Sequence, residues 1–329
     1  MPSRRRALAV LLALALLAGV SVAVALVAGS IPVTFADLLP ALGSGSDSTA
    51  TEVIRGLRLP RAVGAFACGG LLALAGALMQ VLLRNPLADP YVLGISGGAA
   101  VGALAAMLAG LALAFVNLFA FAGAFTAMAL VFGLAHGDNS WTRTRLLLTG
   151  VIIAAGCGAV VALILSIAPE TRLRGMLFWL MGDAGQISNP WPALALLVAG
   201  IAAALPFARE LNLLSRGDTL AQSLGVSVPR IKRIVYALAS LFTAVAVTTA
   251  GSIGFIGLVV PHLMRMAVGN DQRLLLPASA LAGGSLLVLA DTLARTLVAP
   301  QQLPVGVLTA LLGVPVFLFL LGRQPGGRS

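Results

Sequence analysis

Apolar runs of up to about 20 residues recur along this chain, separated by short stretches carrying Arg, Pro or Gly, and no water-soluble fold can bury so many of them. Ten are read, over about 7–29, 62–83, 93–111, 113–135, 146–168, 191–207, 234–250, 258–268, 275–298 and 305–322. Only a short apolar link near 110–113 divides the third from the fourth. The eighth is too short to span alone. It follows Gly251-Ser252-Ile253-Gly254-Phe255-Ile256-Gly257, an interrupted backbone tolerated at membrane depth only where protein or a cavity satisfies it. With 59% of 329 residues hydrophobic, 10% charged and a mean hydropathy of +1.03, no separate soluble domain fits. The expected fold is all-α: one polytopic membrane domain, 1–329, of about ten transmembrane helices.

Charge sets the orientation. Of 21 basic residues only Lys232 is lysine. With the amino terminus in the cytoplasm, the inner loops receive fifteen of the 21 and five of the eleven acids, and the outer loops six of each. Cytoplasmic loops carry such an excess, so both termini are expected inside, and the net charge of +10 reflects topology rather than nucleic-acid binding. Arg4-Arg5-Arg6 before residues 7–29 has the flank of a signal peptide. Its apolar stretch of about 23 residues exceeds the 7 to 15 of a typical signal core, which favours a retained first helix.

Several chemistries are excluded or demoted. A phosphate-cradling loop needs Gly-Lys-Ser/Thr, and the one lysine lies in Arg230-Ile231-Lys232-Arg233, so any nucleotide must be bound by another chain. Cys68 and Cys157 lack metal or redox spacing and are expected as small buried side chains. H-E-x-x-H does not occur and the two histidines, His136 and His262, are remote in sequence, which argues against a membrane enzyme. A proton- or sodium-coupled secondary transporter is the main alternative. It would need ionisable residues near the midplane, and on these spans no acid lies there, Asp291 coming closest.

Three local features remain open on the residues alone. Arg58, Arg61 and Arg295 are basic on the outer side; they are either interfacial or locally paired, as Asp291 with Arg295 at i, i+4, or a rim for an acidic partner. The inner loop 209–233 reads as holding a short helix with Asp218 as N-cap, Thr219–Leu224 as body and Gly225 as stop. It either tidies a connection or docks a cytoplasmic motor. Leu59-Pro60-Arg61 outside and Val228-Pro229-Arg230 inside hint at inverted halves of about 1–170 and 171–329.

The densest polar cluster near a span runs from Arg84-Asn85-Pro86-Leu87-Ala88-Asp89-Pro90-Tyr91 to Gly94-Ile95-Ser96-Gly97-Gly98-Ala99, after Gln80. Together with Arg58-Leu59-Pro60-Arg61, it resembles the FecCD-type permeases of ABC importers, which carry ferric siderophores, haem and cobalamin. The resemblance continues in order through Leu146-Leu147-Leu148-Thr149-Gly150, Trp179 with Gly182, Asp218 with Ala221 and Leu224-Gly225, and Gly254 to His262 with Arg265. It closes with Leu276-Pro277, Ala290-Asp291, Ala294-Arg295 and Pro304-Val305-Gly306 to Pro315, so that it covers about 58–316. Where family members often carry Glu before the late Leu-Pro motif, this chain has Gln301 and Gln302.

The resemblance implies the inverted-repeat, type II ABC importer fold. It also implies a homodimer in the bacterial inner membrane, two ATPase subunits holding ATP and Mg below, and a periplasmic binding protein above. No cofactor, metal or catalytic residue is expected in this chain, and its other neighbour is membrane lipid. Arg58, Arg61 and Arg295 match the family's docking arginines, and Arg216 to Gly225, with Asp218, Ala221 and Leu224, matches its coupling helices. Gln80, Asn85, Ser96, Gly97 and Gly98, with span five, are the pathway candidates, with helix packing as their other reading. His136 and His262 are not expected to ligate haem.

Overall fold

A computed structural model describes residues 4–43, 48–135 and 142–323, so His136 and Asp138 lie outside the described residues. Within the described residues, α1 (Arg4–Val27) is followed by the short α2 (Leu38–Leu42) and α3 (Thr49–Val53), then α4 (Leu59–Leu83), α5 (Ile95–Leu108), α6 (Leu113–Ala135) and α7 (Arg143–Ile167). After α8 (Glu170–Met181) and α9 (Trp191–Ala204) come two loop helices, α10 (Ala208–Arg216) and α11 (Asp218–Ser223). The series ends with α12 (Val228–Ala250), α13 (Ile256–Val268), α14 (Gln272–Thr296) and α15 (Val305–Arg323).

Seven helical stretches are long and apolar enough to cross a membrane, and α5, α13 and residues Val305–Phe319 of α15 are shorter apolar helices, so each expected run meets a helix. The third run, expected over 93–111, is helical only over the 14 residues of α5. That length rises about 21 Å, short of a bilayer core of about 30 Å.

The hub is α4, buried without a break from Ala67 to Leu83. Its small residues explain how so many helices reach it. A Cβ built at Gly69 would lie 2.3 Å from the Gly283 carbonyl oxygen of α14, and one at Gly76 would lie 1.8 Å from that of Gly257 in α13. Lipid offers no hydrophobic drive between helices, so close backbone contact of this kind supplies the packing energy.

The α4 and α12 helices run antiparallel, each with a proline in its first turn. Beside the end of α4, Arg84 Nη1 lies 3.2 Å from where a Cβ of Gly217 would sit, next to Asp218, which pairs with Lys232 early in α12. At the opposite ends, a Cβ at Gly185 would lie 3.2 Å from Arg61 Nη1, while the neighbouring Asp183 amide donates to the Ala250 carbonyl at 2.8 Å. Each helix gives way to a non-helical break and then a short helix. The two breaks meet: the Tyr91 hydroxyl donates to the Ile253 carbonyl at 3.0 Å and accepts from its amide at 2.9 Å, and the Ser96 and Ser252 hydroxyls are 2.9 Å apart. Helix, break and half-helix recur in opposite directions, which is the inverted-repeat plan.

This re-entry corrects one reading from the residues. Among the described residues Asp89 lies closer to the middle of α4 than Asp291 does: the adjacent Pro90 packs on Gly257, which abuts the Leu72 carbonyl midway along α4, whereas Asp291 binds Arg61 at its start. Arg84 ends α4 in the left-handed region (φ 48°), and the prolines that follow turn the chain back inward. Asp89 accepts the Tyr91 amide at 2.7 Å and so caps the turn Pro90–Leu93, a structural use for a carboxylate at that depth. Outside the spans, hydrogen bonds from the Thr34 hydroxyl and amide hold Asp37 below the usual carboxylate range.

Candidate functional site

Two of the three arginines, Arg58 and Arg295, converge on the end of α1, whose own last turn has no basic residue. Arg58 is buried and donates to the carbonyls of Leu26 at 2.9 Å, Val27 at 2.7 Å and Ile31 at 2.5 Å. Arg295 donates to the Ala28 carbonyl at 2.6 Å and to that of Ala25. Two cations thus satisfy the orphan carbonyls of α1 and its negative dipole end from other parts of the chain. Gly29 (φ 152°) makes room, since a Cβ there would lie 2.7 Å from Arg58 Nη2. A π-helical turn, Ile54–Arg58, leads into α4 and widens the backbone at this point.

Arg61 takes Asp291 in a fork, Nε to Oδ2 at 2.8 Å and Nη2 to Oδ1 at 2.9 Å, and its Nη1 donates to Gln302 at 2.9 Å. The expected Asp291 and Arg295 pair is present but loose, at 4.0 Å. Gln302 is therefore a ligand of this cluster. Local spacing could not show that Arg58 and Arg295 bind α1, because their partners lie 27–32 and 267–270 residues away. Replacing Arg58 by Leu is expected to lower the melting temperature of the purified protein, because a hydrogen bond to a charged group is worth about 1.5–3 kcal/mol and three are lost. An unchanged melting temperature would show that these carbonyls need no guanidinium.

The pathway candidates are spread over different environments. Gln80 is buried between α4 and α13, donating to the Leu258 carbonyl at 3.1 Å and accepting from Arg265 at 2.9 Å. Asn85 is exposed and accepts the Leu87 amide at 2.9 Å. Gly98 packs on Gly123 of α6, and Gly97 on Cys157 of α7, which is half-buried where full burial was expected; Cys68 is fully buried. Gly97 thus lies beside α7, the least buried of the long spans among the described residues, whose Gly156 and Gly158 face open space.

At the end of the molecule where α4 finishes, α10 buries Ala208, Leu211 and Leu214 at helical spacing. The second loop helix corrects the expected boundaries: Gly217 is its N-cap, Asp218 its first residue, and it ends at Ser223. Asp218 does not cap because its Oδ2 binds Lys232 Nζ at 2.7 Å. Gly225 (φ 83°) closes the helix as expected, its amide bonding Gln222 and that of Val226 bonding Ala221, the Schellman arrangement. Ala221 is buried, while Arg216 and Leu224 are exposed. A second tie holds the loop: Asn212 donates to Asp271 at 2.9 Å and accepts the Gln272 amide at 2.9 Å, at the start of α14.

Known proteins share this fold and sequence. The FecCD transport family matches residues 8–323. The cobalamin import system permease protein BtuC of Halobacterium salinarum is 43% identical over 329 residues, covering 97% of this chain and 88% of that one. The hemin transport system permease protein HmuU of Yersinia pestis is 46% identical over 281 residues, 83% of this chain and 84% of that one. A solved inward-facing conformation of a metal-chelate type ABC transporter superposes with a TM-score of 0.84 at 31% identity, covering 97% of this chain and 100% of that one. With ten apolar helices, inverted breaks and a family match along nearly its full length, the chain belongs to the FecCD transport family, as a transmembrane permease subunit.

Proposed function

We propose that this permease moves a metal chelate (haem, a ferric siderophore or cobalamin) across the bacterial inner membrane, as a homodimer with two ATPase subunits below and a periplasmic binding protein above. Both termini are cytoplasmic in this reading, and the halves are 1–170 and 171–329. The observation that carries it is the match over residues 8–323 to a transport family whose relatives are named for cobalamin and hemin import. The little-buried α7 supports a dimer, since an apolar helix with this much open surface is available to a second copy and to a pathway between copies.

In this mechanism ATP closes the partner subunits, α10 and α11 move with them, and Lys232 and Asn212 pass the movement to α12 and α14. Work enters as differential stabilisation of outward- and inward-open states. Ser96, Gly97 and Gly98 sit at the break where the two half-helices meet, a place suited to such a change. At the outer face Arg61 and Arg295 share the carboxylate of Asp291, and Arg58 lies on the end of α1, a local excess of positive charge within a face that is neutral overall; it orients an acidic binding protein at close range. Arg61, whose Nη1 rests on a neutral glutamine, is the arginine most readily re-paired with an incoming carboxylate.

The test is uptake into proteoliposomes holding this chain, its cognate ATPase and its binding protein, with each of the three chelates offered in turn. Accumulation of one chelate that vanishes without ATP is expected. Uptake driven by an ion gradient without the ATPase would overturn the proposal and turn attention to Asp89 and Asp291.

A further inference from the structure

A cavity of about 360 Å³ opens beside the coupling loop, between the start of α10, the end of α11 and the first turns of α12. Its size falls in the range of small-ligand sites, about 300–1,000 Å³. Phe207 and Ile234 supply apolar wall, Ile234 lying two turns into α12 and Phe207 three residues past the end of α9. Arg209, Glu210 and Arg230 supply the charge. Glu210 Oε2 is buried and has no hydrogen-bond partner among the described residues. A carboxylate oxygen cut off from water without a donor is costly, so this one calls for a cation with N–H groups to give.

We propose that this cavity binds the headgroup of a phosphatidylethanolamine-type lipid. Arg209 and Arg230 take the phosphate, for which guanidinium forks are well shaped. Glu210 accepts from the primary ammonium, and the acyl chains leave past Phe207 and Ile234 into the bilayer. The charge pattern selects this headgroup: phosphatidylglycerol has the phosphate but no ammonium, and phosphatidylcholine has a cation with no N–H. The lipid would bridge Leu224 and Gly225, at the end of α11, to Arg230 on α12, and so add a removable contact between the loop and span seven.

The experiment is native mass spectrometry of the detergent-purified permease, with and without its ATPase, after exchange into equal mixtures of dioleoyl phosphatidylethanolamine, phosphatidylglycerol and phosphatidylcholine. Phosphatidylethanolamine should be retained about tenfold over phosphatidylcholine, the scale of one charged hydrogen bond. Glu210→Gln should remove that preference while leaving some phospholipid bound. Arg209→Gln with Arg230→Gln should lower retention of all three lipids, and Arg233→Gln, at an exposed neighbour outside the cavity, should change nothing. Equal retention of the three lipids, or an unaltered preference in Glu210→Gln, would overturn the proposal. So would displacement of the lipid by the ATPase or by 10 mM inorganic phosphate (roughly the millimolar range of a weak anion site), which would assign the cavity to that subunit or to the free anion. These readouts involve no transport, so they stand or fall apart from the importer reading.

Discussion

Replacing Gly76 by alanine is expected to abolish most of the folded permease, whereas Gly156→Ala should leave its yield and melting temperature unchanged. A methyl at Gly76 would lie 1.8 Å from the Gly257 carbonyl oxygen, 2.5 Å from its carbon and 2.7 Å from its Cα. All three atoms are backbone, so no side chain can swing aside; the whole of α13 has to withdraw. Withdrawal would strain the Gln80 hydrogen bond to Leu258, the Arg265 hydrogen bond to Gln80 and the Tyr91 pair with Ile253, which together hold the two breaks in register. Overpacking a core costs about 1–3 kcal/mol when side chains can adjust, and here they cannot, so the loss should reach or exceed the top of that range. Gly156 on α7 has nothing within 4 Å of a built Cβ, which makes it the matched control. A Gly76→Ala protein purified in normal amounts with a normal melting temperature would show that α4 and α13 are less closely packed than described.

Lys232→Met is expected to leave the permease folded and bound to its ATPase, yet to cut chelate uptake by about tenfold or more relative to ATP hydrolysed. Tenfold corresponds to about 1.4 kcal/mol of lost coupling, a modest demand on an ion pair that fixes a lever. Lys232 is the better residue to neutralise, because the Asp218 side chain left behind is 33% exposed and stays partly hydrated. Asp218→Asn does the opposite and strands an ammonium whose side chain is only 10% exposed. It should therefore lower stability as well as coupling. Exchanging the two charges, Lys232→Asp with Asp218→Lys, should restore part of the coupling. A wild-type ratio of uptake to hydrolysis in Lys232→Met would mean that this pair is not a lever, leaving Asn212 and its ties to Asp271 and Gln272 as the remaining route.

The elements themselves were largely legible. A run such as 113–135 must be a helix in lipid, because only a helix satisfies its own backbone there, and α6 matches that reading residue for residue. The break beginning at Gly251 and the stop at Gly225 were legible as well, since glycine's conformational freedom is a local property, although α13 starts at Ile256, inside the expected interruption 251–257. Asp218 shows the boundary of this kind of reading. As an Asp before a short helix it had the features of an N-cap, and it became the first helical residue only because a lysine 14 positions later, on another helix, claimed its carboxylate.

The sequence alone therefore determined an all-helical membrane protein, its ten apolar segments and the approximate position of one of its two loop helices, α11, because lipid solvation and backbone hydrogen bonding act on each segment almost independently of the rest. Only the tertiary structure decided that Arg58 and Arg295 close the end of α1, that Gln80 serves α13, and that Asp89 lies deep beside Pro90 in the re-entrant break. Those outcomes depend on which helix face meets which neighbour. That is settled by the fit of small residues along α4 and by hydrogen-bond partners up to 270 residues apart, neither of which has a local signature.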